Sequence, residues 1–235
     1  MGVENTHCRD CQLRHHGRFN DLNPDCLDTI SNNKTCNLYK KGQLLLHEGS
    51  RPMGVFCIKE GKVKVFKLGQ QGKEQITAIL KEGDLVGYRA MLGDSLYHVS
   101  VEALEDVVAC HIPKSDFMSA FENDKSLHHK LINELSNEVM NLTAIITDLA
   151  QKPVRERTAA ALVMLSDIYK NGSKDPNVPI DISLTRESLA NIVGTATETL
   201  IRILHDFKEE GLVESKGRKL TVTNVKTLER VGGIY

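Results

Sequence analysis

The chain has 235 residues, of which 40% are hydrophobic and 26% are charged, a composition typical of a globular protein with one large domain or two smaller ones. Its formal net charge of -1 excludes a chain that is basic throughout, so a nucleic-acid-binding surface would have to be a local patch. No apolar run is as long as a membrane-spanning helix and no leader-like segment opens the chain, so we expect a cytoplasmic protein with no membrane partner.

Residues 1–35 are predicted to form an arm that carries cysteines, followed by helical turns. Cys8 and Cys11 form a CxxC pair in this arm. Such a pair can hold zinc together with His15 or His16, act as a pair of redox thiols, or have no chemical role. The pair alone does not decide among these alternatives.

The cysteines of the chain are too widely scattered for a disulfide-stapled secreted scaffold, which favours a reducing compartment. They are Cys8, Cys11, Cys26, Cys36, Cys57 and Cys110. Cys36 and Cys57 lie within or beside predicted strands, and we interpret both as small buried hydrophobic residues.

Residues 36–122 contain short segments rich in valine and isoleucine, including GVFCIKEG, KVKVFKLG and EQITAIL. Glycines separate these segments at short intervals, at Gly42, Gly49, Gly61, Gly69, Gly72 and Gly83. Many short strands joined by glycine turns indicate an all-β sandwich or barrel rather than alternating strands and helices.

Residues 123–152 are predicted to form one long helix, since the stretch from Asp124 to Gln151 contains neither glycine nor proline. Apolar residues recur in it at spacings of three and four, at Ile132, Leu135, Val139, Leu142, Ile146 and Leu149. This a/d stripe alternates β-branched residues with leucine, which favours a parallel two-stranded coiled coil and predicts a dimer interface. The alternative is a helix packed only on its own domain, for which Leu131 and Ile145 offer a second apolar stripe.

Residues 153–235 are predicted to form a winged helix-turn-helix. Thr185 can cap the first helix of the motif, and Gly194 permits the turn to the second helix. The segment LVESKGRKLTVTN follows as two short strands around a basic turn. Phosphate contacts, which position a protein without specifying sequence, are predicted for Arg186, Lys216, Arg218 and Lys219.

The start of the second helix in such a motif enters the major groove of DNA. Thr197, Glu198, Ile201 and Arg202 lie on this leading face, where arginine can contact guanine and glutamate can accept from cytosine. A structural interpretation is that Thr195 forms a capping box with Glu198, which also pairs with Arg202. The residues predicted to contact DNA are Thr185, Arg186, Thr195, Thr197, Glu198, Ile201, Arg202, Lys216, Arg218 and Lys219.

A β-roll, a long helix and a winged helix-turn-helix in this order resemble the Crp/Fnr family of bacterial transcription regulators. The resemblance covers nearly the whole chain and is most specific in LTRESLANIVGTATETLIRIL, KEGDLVGYRAMLG and VRERTAAAL. It implies an α+β fold: a double-stranded β-helix (jelly roll) of the cyclic-nucleotide-binding type, a dimerisation helix and a C-terminal winged helix-turn-helix. It also implies a homodimer on palindromic double-stranded DNA, with Glu198 and Arg202 reading TGA-type half-sites and RNA polymerase as a partner.

The resemblance places an effector pocket in the β-roll at Gly87, Tyr88, Arg89 and His98. The cyclic-AMP branch of the family has a Glu after this Gly and then an Arg-Ser pair that binds the cyclic phosphate. In this chain Tyr88 stands in place of the Glu, and His98 falls in the region of the pair. A buried phosphate needs a positive partner. The sequence therefore argues against cyclic AMP and leaves the effector unidentified.

The Fnr-like branch, which the chain resembles more closely, binds a [4Fe–4S] cluster through three N-terminal cysteines and one in the roll. Cys8, Cys11 and Cys110 stand at three of these positions, but the remaining one is Gly17. The resemblance leaves open a cluster with a substitute ligand, another metal, or no metal. Candidates for the substitute ligand are His15, His16 and Cys26.

We expect a homodimeric, sequence-specific transcription regulator whose β-roll senses an effector, with redox state, oxygen and nitric oxide as candidate signals. The alternative is a cluster- or ligand-binding redox sensor without DNA readout. An enzyme is not expected, because the sequence contains no nucleophile–base pattern, phosphate-binding loop or HExxH motif.

Overall fold

A computed structural model describes residues 5–15, 17, 19–170, 178–217 and 219–234 of the protein. The chain divides into two compact units, and the boundary between them lies inside its longest helix. No helix in these residue ranges is both long enough and apolar enough to span a membrane.

The N-terminal unit is a β-roll built from two four-stranded sheets. Its strands are β1 (Thr35–Tyr39), β2 (Leu44–Leu46), β3 (Gly54–Glu60), β4 (Val63–Leu68), β5 (Glu74–Leu80), β6 (Leu85–Val86), β7 (Ser100–Ala103) and β8 (Val107–Pro113). One sheet has the strand order β1-β8-β3-β6, and the other has the order β2-β7-β4-β5. Strands distant in sequence pair antiparallel in both sheets, which is the crossover pattern of a jelly roll.

Helices flank the roll, and their first residues explain where they begin. They are a 3-10 turn (Gln12–His15), α1 (Pro24–Asn33), α2 (Tyr88–Leu92), α3 (Lys114–Asn123) and α4 (Lys125–Gln151). Asn23 caps α1, since its side chain accepts a hydrogen bond from the N–H of Asp25. The carboxylate of Asp124 caps α4 by accepting from the N–H of Leu127 at 2.9 Å. It also accepts from the N–H of Asn23 at 2.6 Å, so it joins the starts of two helices.

Side chains alternate along β3 and contribute to two apolar cores. Phe56 and Ile58 point between the two sheets. Val55 and Cys57 point to the other side of their sheet, where they pack against apolar residues of α1, α3 and α4. The outer face of the sheet β1-β8-β3-β6 is therefore covered by helices.

The C-terminal unit is a winged helix-turn-helix. Its elements are α5 (Val154–Tyr169), β9 (Ile180–Ile182), α6 (Arg186–Val193), α7 (Thr197–Glu209), β10 (Val213–Lys216), β11 (Lys219–Val222) and α8 (Val225–Gly232). The three strands form an antiparallel sheet in the order β10-β11-β9. Leu165, Leu189, Leu200 and Phe207 are almost completely buried and form the core of this unit.

The predicted α+β fold class is confirmed, because the roll, the long helix and the winged helix-turn-helix follow one another in the predicted order. Helices α2, α3 and α8 were not predicted. Each has ten residues or fewer, too few for its apolar residues to establish a helical period in the sequence. The cap of α8 is nevertheless visible there, since the side chain of Asn224 accepts from the N–H of Thr227.

Candidate functional site

The first helix of the helix-turn-helix starts as predicted. The hydroxyl of Thr185 accepts a hydrogen bond from the N–H of Ser188 at 3.0 Å and so caps α6. Gly194 follows the end of α6 with a φ of +71°, a conformation that residues with side chains rarely adopt. A Cβ on Gly194 would also lie 2.9 Å from the side chain of Leu149, so the turn requires glycine.

The second helix does not start as predicted. The capping-box interpretation of Thr195 is wrong, because α7 begins at Thr197 after Ala196, which has no side-chain cap. The N–H of Thr195 instead donates to the carbonyl of Ala190 at 3.0 Å and helps to close the end of α6.

Glu198 and Arg202 lie one turn apart on α7 but form no ion pair in the described part of the chain. The guanidinium of Arg202 contacts the hydroxyl of Thr199 at 3.5 Å instead. Glu198 lies in the first turn of α7, where a negative side chain interacts favourably with the helix dipole. Both charged groups therefore project outward without neutralising each other.

Helix α7 has one buried face and one exposed face. The buried face consists of Leu200, Leu204 and Phe207. On the opposite side Glu198 and Arg202 are exposed, Thr197 is half-buried and the apolar side chain of Ile201 is 50% exposed. The structure thus brings the four predicted base-contacting side chains together on one face.

The hairpin after α7 presents basic residues. Lys216 and Lys219 are opposite each other on β10 and β11, with Gly217 in the turn at a φ of +60°. Both lysines are exposed. Arg218, which is also predicted to contact phosphate, lies outside the described residues.

Two of the predicted phosphate contacts have protein partners in the isolated chain. The Nζ atom of Lys219 lies 2.6 Å from Oδ2 of Asp181 on β9. Hydrogen bonds from Lys219 and Thr221 hold the pKa of Asp181 below its usual range. The guanidinium of Arg186 donates to the hydroxyl of Ser215 at 2.6 Å, and burial lowers the pKa of Arg186.

Arg157 on α5 is a residue that the sequence did not single out. Its guanidinium donates to the carbonyls of Val193 at 3.2 Å and Gly194 at 3.4 Å, in the turn between α6 and α7. It also donates to the carbonyls of Leu149 at 3.2 Å and Lys152 at 3.0 Å, where α4 ends. Carbonyls at the end of a helix lack partners within the helix, so Arg157 satisfies groups from two elements. The sequence feature that could have drawn attention to Arg157 is the stretch VRERTAAAL, which contains it and which carries part of the family resemblance.

The a/d stripe of α4 is largely exposed. Leu127 and Leu131 are buried in the core of the N-terminal unit, so one face of α4 packs on its own unit. On the a/d face Leu135 is half-buried, whereas Val139 is 64% exposed and Ile146 is 67% exposed. Further exposed members are Ile132, Leu142 and Leu149.

The predicted effector-pocket residues have different surroundings. Gly87 has a φ of +94°, and a Cβ there would lie 3.4 Å from the carbonyl oxygen of Gly54. Tyr88 is buried on the helix-covered side of the sheet. Arg89 donates from Nη1 to Oε1 of Glu138 on α4. His98 is exposed.

Tyr97 occupies part of the space beside Gly87. It is buried in the core between the sheets, and its hydroxyl donates to the carbonyl of Gly54 at 3.0 Å. A Cβ on Gly87 would lie 3.3 Å from the ring of Tyr97. An aromatic ring therefore fills part of the interior of the roll at this point.

A cavity of about 50 Å³ lies between the N-terminal arm and the sheet β1-β8-β3-β6. Four of the side chains that line this thiol cavity are Cys8, Cys11, Cys57 and Cys110. Burial raises the pKa of Cys57 to about 12, and the nearby Cys11 and Cys8 contribute to this shift. Burial also raises the pKa of Cys8.

Sequence comparison identifies the two units. Residues 37–124 match the cyclic nucleotide-binding domain, and residues 156–231 match the Crp-like helix-turn-helix domain. The fumarate and nitrate reduction regulatory protein of Vibrio cholerae is 32% identical over 232 residues, which cover 97% of this chain and 91% of that protein. The chain belongs to the Crp/Fnr family.

A second relative and a solved structure are also similar to this Crp/Fnr chain, the structure in its fold. The Escherichia coli protein with the same name as the Vibrio relative is 30% identical over 230 residues, or 97% of this chain and 90% of that protein. A CRP/FNR-family transcriptional regulator from Thermus thermophilus is 22% identical and has a TM-score of 0.69, covering 85% of this chain and 98% of its own.

This Crp/Fnr protein is a transcription regulator with a Crp-like DNA-binding domain and a sensory domain of the cyclic-nucleotide-binding type. The prediction of a regulator rather than an enzyme is confirmed. Helices α6 and α7 and the basic hairpin lie within the helix-turn-helix match, whereas Cys8 and Cys11 lie before both matched regions.

The cluster ligand set that the Crp/Fnr resemblance implies does not fit this chain as it stands. Gly17 has no donor atom, and a Cβ there would lie 2.8 Å from the carbonyl of Leu13. Cys110 is joined by a disulfide to Cys36, which lies opposite it on β1. The interpretation of Cys36 as a buried hydrophobic residue is therefore wrong.

Among the suggested substitute ligands, Cys26 is the one whose side chain the structure describes. His16 and the side chain of His15 lie outside the described residues, and Cys26 on α1 does not line the described part of the thiol cavity. Within the described ranges, no group of three or more His, Cys, Asp or Glu side chains is arranged to hold a metal ion.

Proposed function

We propose that this Crp/Fnr protein is a homodimer that recognises a palindromic DNA site with TGA-type half-sites. The observation that carries the proposal is the exposed face of α7, where Thr197, Glu198, Ile201 and Arg202 project while the opposite face is buried. The second helix of a helix-turn-helix places such residues in the major groove.

The chemistry of the two charged residues suits the proposed half-site. A guanidinium can donate two hydrogen bonds to O6 and N7 of guanine, and a carboxylate can accept from the amino group of cytosine. The G·C pair of a TGA-type half-site presents both groups in the major groove. Because Arg202 contacts Thr199 rather than Glu198, both charged groups are available to bases.

The basic residues around α7 are proposed to contact phosphates. Lys216 is exposed at the end of the hairpin, which supports this role. Lys219 would exchange the carboxylate of Asp181 for a phosphate oxygen. For Arg186 and Arg218 the support is their position in the sequence, where Arg186 comes before the base-reading helix and Arg218 comes after it.

The a/d stripe of α4 is proposed to be the dimer interface. Its exposed valine, isoleucine and leucine side chains are what a second copy of the helix would bury. Pairing along α4 would set the two α7 faces about 34 Å apart, which matches one helical turn of DNA.

We assign a redox-type signal, such as oxygen or nitric oxide, to the sensory unit. The support is that the two relatives are named for the regulation of fumarate and nitrate reduction, and that cysteines line the thiol cavity. The ion pair of Arg89 with Glu138 and the ring of Tyr97 argue against cyclic AMP. The proposed cellular setting is the cytoplasm, with RNA polymerase as a partner.

We divide the protein into four functional segments. Residues 1–35 form the cysteine-containing arm and 36–122 the sensor. Residues 123–152 form the dimerisation helix and 153–235 the DNA-binding domain. The ends of α4 at Lys125 and Gln151 support the limits of the third segment.

Selection from a random pool of DNA duplexes at two salt concentrations tests the proposed function. We expect enrichment of a palindrome with half-site centres about 10 base pairs apart, and an affinity that falls steeply with salt. Failure to enrich any sequence, or enrichment of an isolated half-site by a single chain, would contradict the proposal.

A further inference from the structure

Cys110 lies at the centre of a row of three cysteines that crosses one sheet of the β-roll. It is directly opposite Cys36 in the β1–β8 pair and directly opposite Cys57 in the β3–β8 pair. Directly opposite side chains of antiparallel strands lie on the same face of the sheet, so the three sulfur atoms share one face. Cys36 and Cys110 are joined by a disulfide, whereas Cys57 is a free thiol.

The disulfide contrasts with the reducing compartment that is proposed for the protein. Disulfides are rare in the cytoplasm of most organisms, and those that do occur there are usually transient and either catalytic or redox-sensing. A redox role for the pair of Cys36 and Cys110 therefore rests on the cytoplasmic setting and the redox-type signal of the proposed function.

The position of Cys36 gives an external thiol access to the disulfide. Strand β1 is the edge strand of its sheet and Cys36 on it is half-buried, whereas Cys110 on the inner strand β8 is only 7% exposed. The buried Lys34 lines the same cavity as Cys110. A nearby cation stabilises a thiolate, so attack at Cys36 with Cys110 as the leaving group is favoured.

The N-terminal arm contacts the sulfur of Cys36. The Oδ1 atom of Asn5 lies 3.4 Å from Sγ of Cys36, so the thiol has a hydrogen-bond acceptor once the disulfide is reduced. The Nζ atom of Lys34 donates to the same oxygen at 3.1 Å and to the carbonyl of Thr6 at 2.7 Å. Cys36 therefore has a partner in both redox states, and the arm lies against the residue that changes.

We propose that Cys36 and Cys110 form a reversible thiol–disulfide switch that controls how firmly the edge strand β1 is held to β8. The oxidised pair adds a covalent bond to the β1–β8 ladder. Reduction removes this bond, so β1 and the part of the arm that contacts it open more readily. The reagents of the switch are the thiols and disulfides of the low-molecular-weight pool.

The switch needs two molecules of an external thiol as the reductant. The first thiolate attacks Sγ of Cys36, the bond to Cys110 breaks, and Cys110 leaves with the electron pair and takes up a proton. The second thiolate attacks the external sulfur of the mixed disulfide. This step releases Cys36, which also takes up a proton, and joins the two external thiols as a disulfide. Oxidation is the reverse, with that external disulfide as the oxidant.

Cys57 is not expected to replace Cys36 in the pair. It lies on the inner strand β3 and packs against the helix-covered core, away from the edge of the sheet. Burial also raises the pKa of Cys57 to about 12, so its thiol stays protonated near neutral pH, whereas the thiolate is the attacking form in disulfide exchange.

Equilibration of the full-length chain with glutathione tests the switch without DNA, so its failure is distinct from a failure of DNA recognition. Buffers range from wholly oxidised to wholly reduced glutathione, and samples are acid-quenched, alkylated and analysed by mass spectrometry. The linked peptide of Cys36 and Cys110 should fall at least about tenfold across this range and return on re-oxidation. A bond that persists in reduced glutathione, or never forms in oxidised glutathione, overturns the proposal.

Variants identify the members of the pair. In Cys36→Ser, Cys110 should be alkylated in every buffer. The matched control is Cys26→Ser, at a free cysteine on α1 of the same unit, and it should titrate like wild type. Cys57→Ser should also keep the disulfide. A linked peptide of Cys57 and Cys110 as the main product in wild type would overturn the assignment of Cys36.

Hydrogen exchange of the wild type tests the effect on β1 and does not depend on the folding of variants. Amides of β1 should exchange at least about tenfold more slowly in the oxidised chain, because the bond opposes local opening of the edge strand. Amides of β4, in the other sheet, should exchange alike in both states and serve as the internal control. Equal exchange of β1 in the two states would show that the disulfide does not hold this strand.

Discussion

The guanidinium of Arg157 donates to the carbonyl of Val193 at 3.2 Å and so reaches from α5 to the turn that precedes the base-reading helix. The same group donates to the carbonyl of Leu149 at the end of α4. One side chain therefore holds the end of the proposed dimerisation helix and the start of the helix-turn-helix turn. A lysine could not replace it, because an ammonium lacks the planar fork that serves several carbonyls at once.

Replacing Arg157 by alanine is expected to lower the free energy of unfolding by about 1.5–3 kcal/mol, the typical contribution of a hydrogen-bonded charged group. Carbonyls at two helix ends would lose their donor, so DNA affinity should fall as well. Denaturant titration of the variant measures the first effect. Arg51→Ala, at an exposed arginine of the other unit, is the control and should change stability by less than about 0.5 kcal/mol. Equal stability of the two variants would show that the contacts of Arg157 contribute nothing.

Arg202→Ala is expected to relax base preference at one base pair in each half-site, because a bidentate arginine contributes about 1–3 kcal/mol of discrimination. Competition between the selected palindrome and versions altered at single positions measures this loss. Lys216→Ala is the control, since loss of a phosphate contact should weaken binding to all duplexes alike and reduce the salt dependence. Unchanged base preference in Arg202→Ala would remove this residue from the proposed readout.

Lys219 is paired with Asp181 in the single chain. A variant that lacks this carboxylate is therefore expected to bind DNA more tightly. Asp181→Asn leaves Lys219 without its carboxylate partner, so binding to all sequences should strengthen by up to about fivefold per half-site. Lys219 holds the pKa of Asp181 below its usual range, so the carboxylate stays ionised above its ordinary value of about 3.9. The gain should therefore be constant between about pH 6 and pH 8.

Glu214→Gln separates the ion pair from net charge, because it removes one negative charge from β10 of the same sheet. A smaller gain for this control is expected. If both variants bind equally more tightly, overall charge explains the effect and the Asp181–Lys219 pair has no role in it. Measurements at two salt concentrations would show the larger salt dependence expected for Asp181→Asn.

Features that depend on nearby residues could be predicted from the sequence. The cap at Thr185, the turn at Gly194 and the buried leucines of α6 and α7 lie within about twenty residues, so spacing alone reveals them. The a/d stripe is visible for the same reason. The start of α7 was placed wrongly because Thr195 and Glu198 match a capping box, whereas the N–H of Thr195 is used to close α6.

Features that depend on strand register or on backbone groups could not be predicted. Cys36 and Cys110 are 74 residues apart, and only the pairing of β1 with β8 brings them together. A shift of one residue would turn Cys110 to the other face of the sheet. Cys57 joins the thiol cavity through a third strand in the same way. The partners of Arg157 are backbone carbonyls, which leave no signal in a sequence.

A charge in the a/d stripe of α4 is expected to abolish dimerisation and, with it, binding to the palindrome. Ile146 is 67% exposed in the single chain, so Ile146→Asp should leave the protomer folded. In a paired coil the same carboxylate would be buried without a partner, and the free energy of removing it from water would outweigh the apolar packing of the coil. The control is Ala144→Asp, which also places an aspartate in the middle of α4 but on the side of the helix that faces away from the a/d stripe. This variant should remain a dimer. Sedimentation equilibrium of both variants decides the matter, since a dimeric Ile146→Asp protein would show that the two chains pair through another surface.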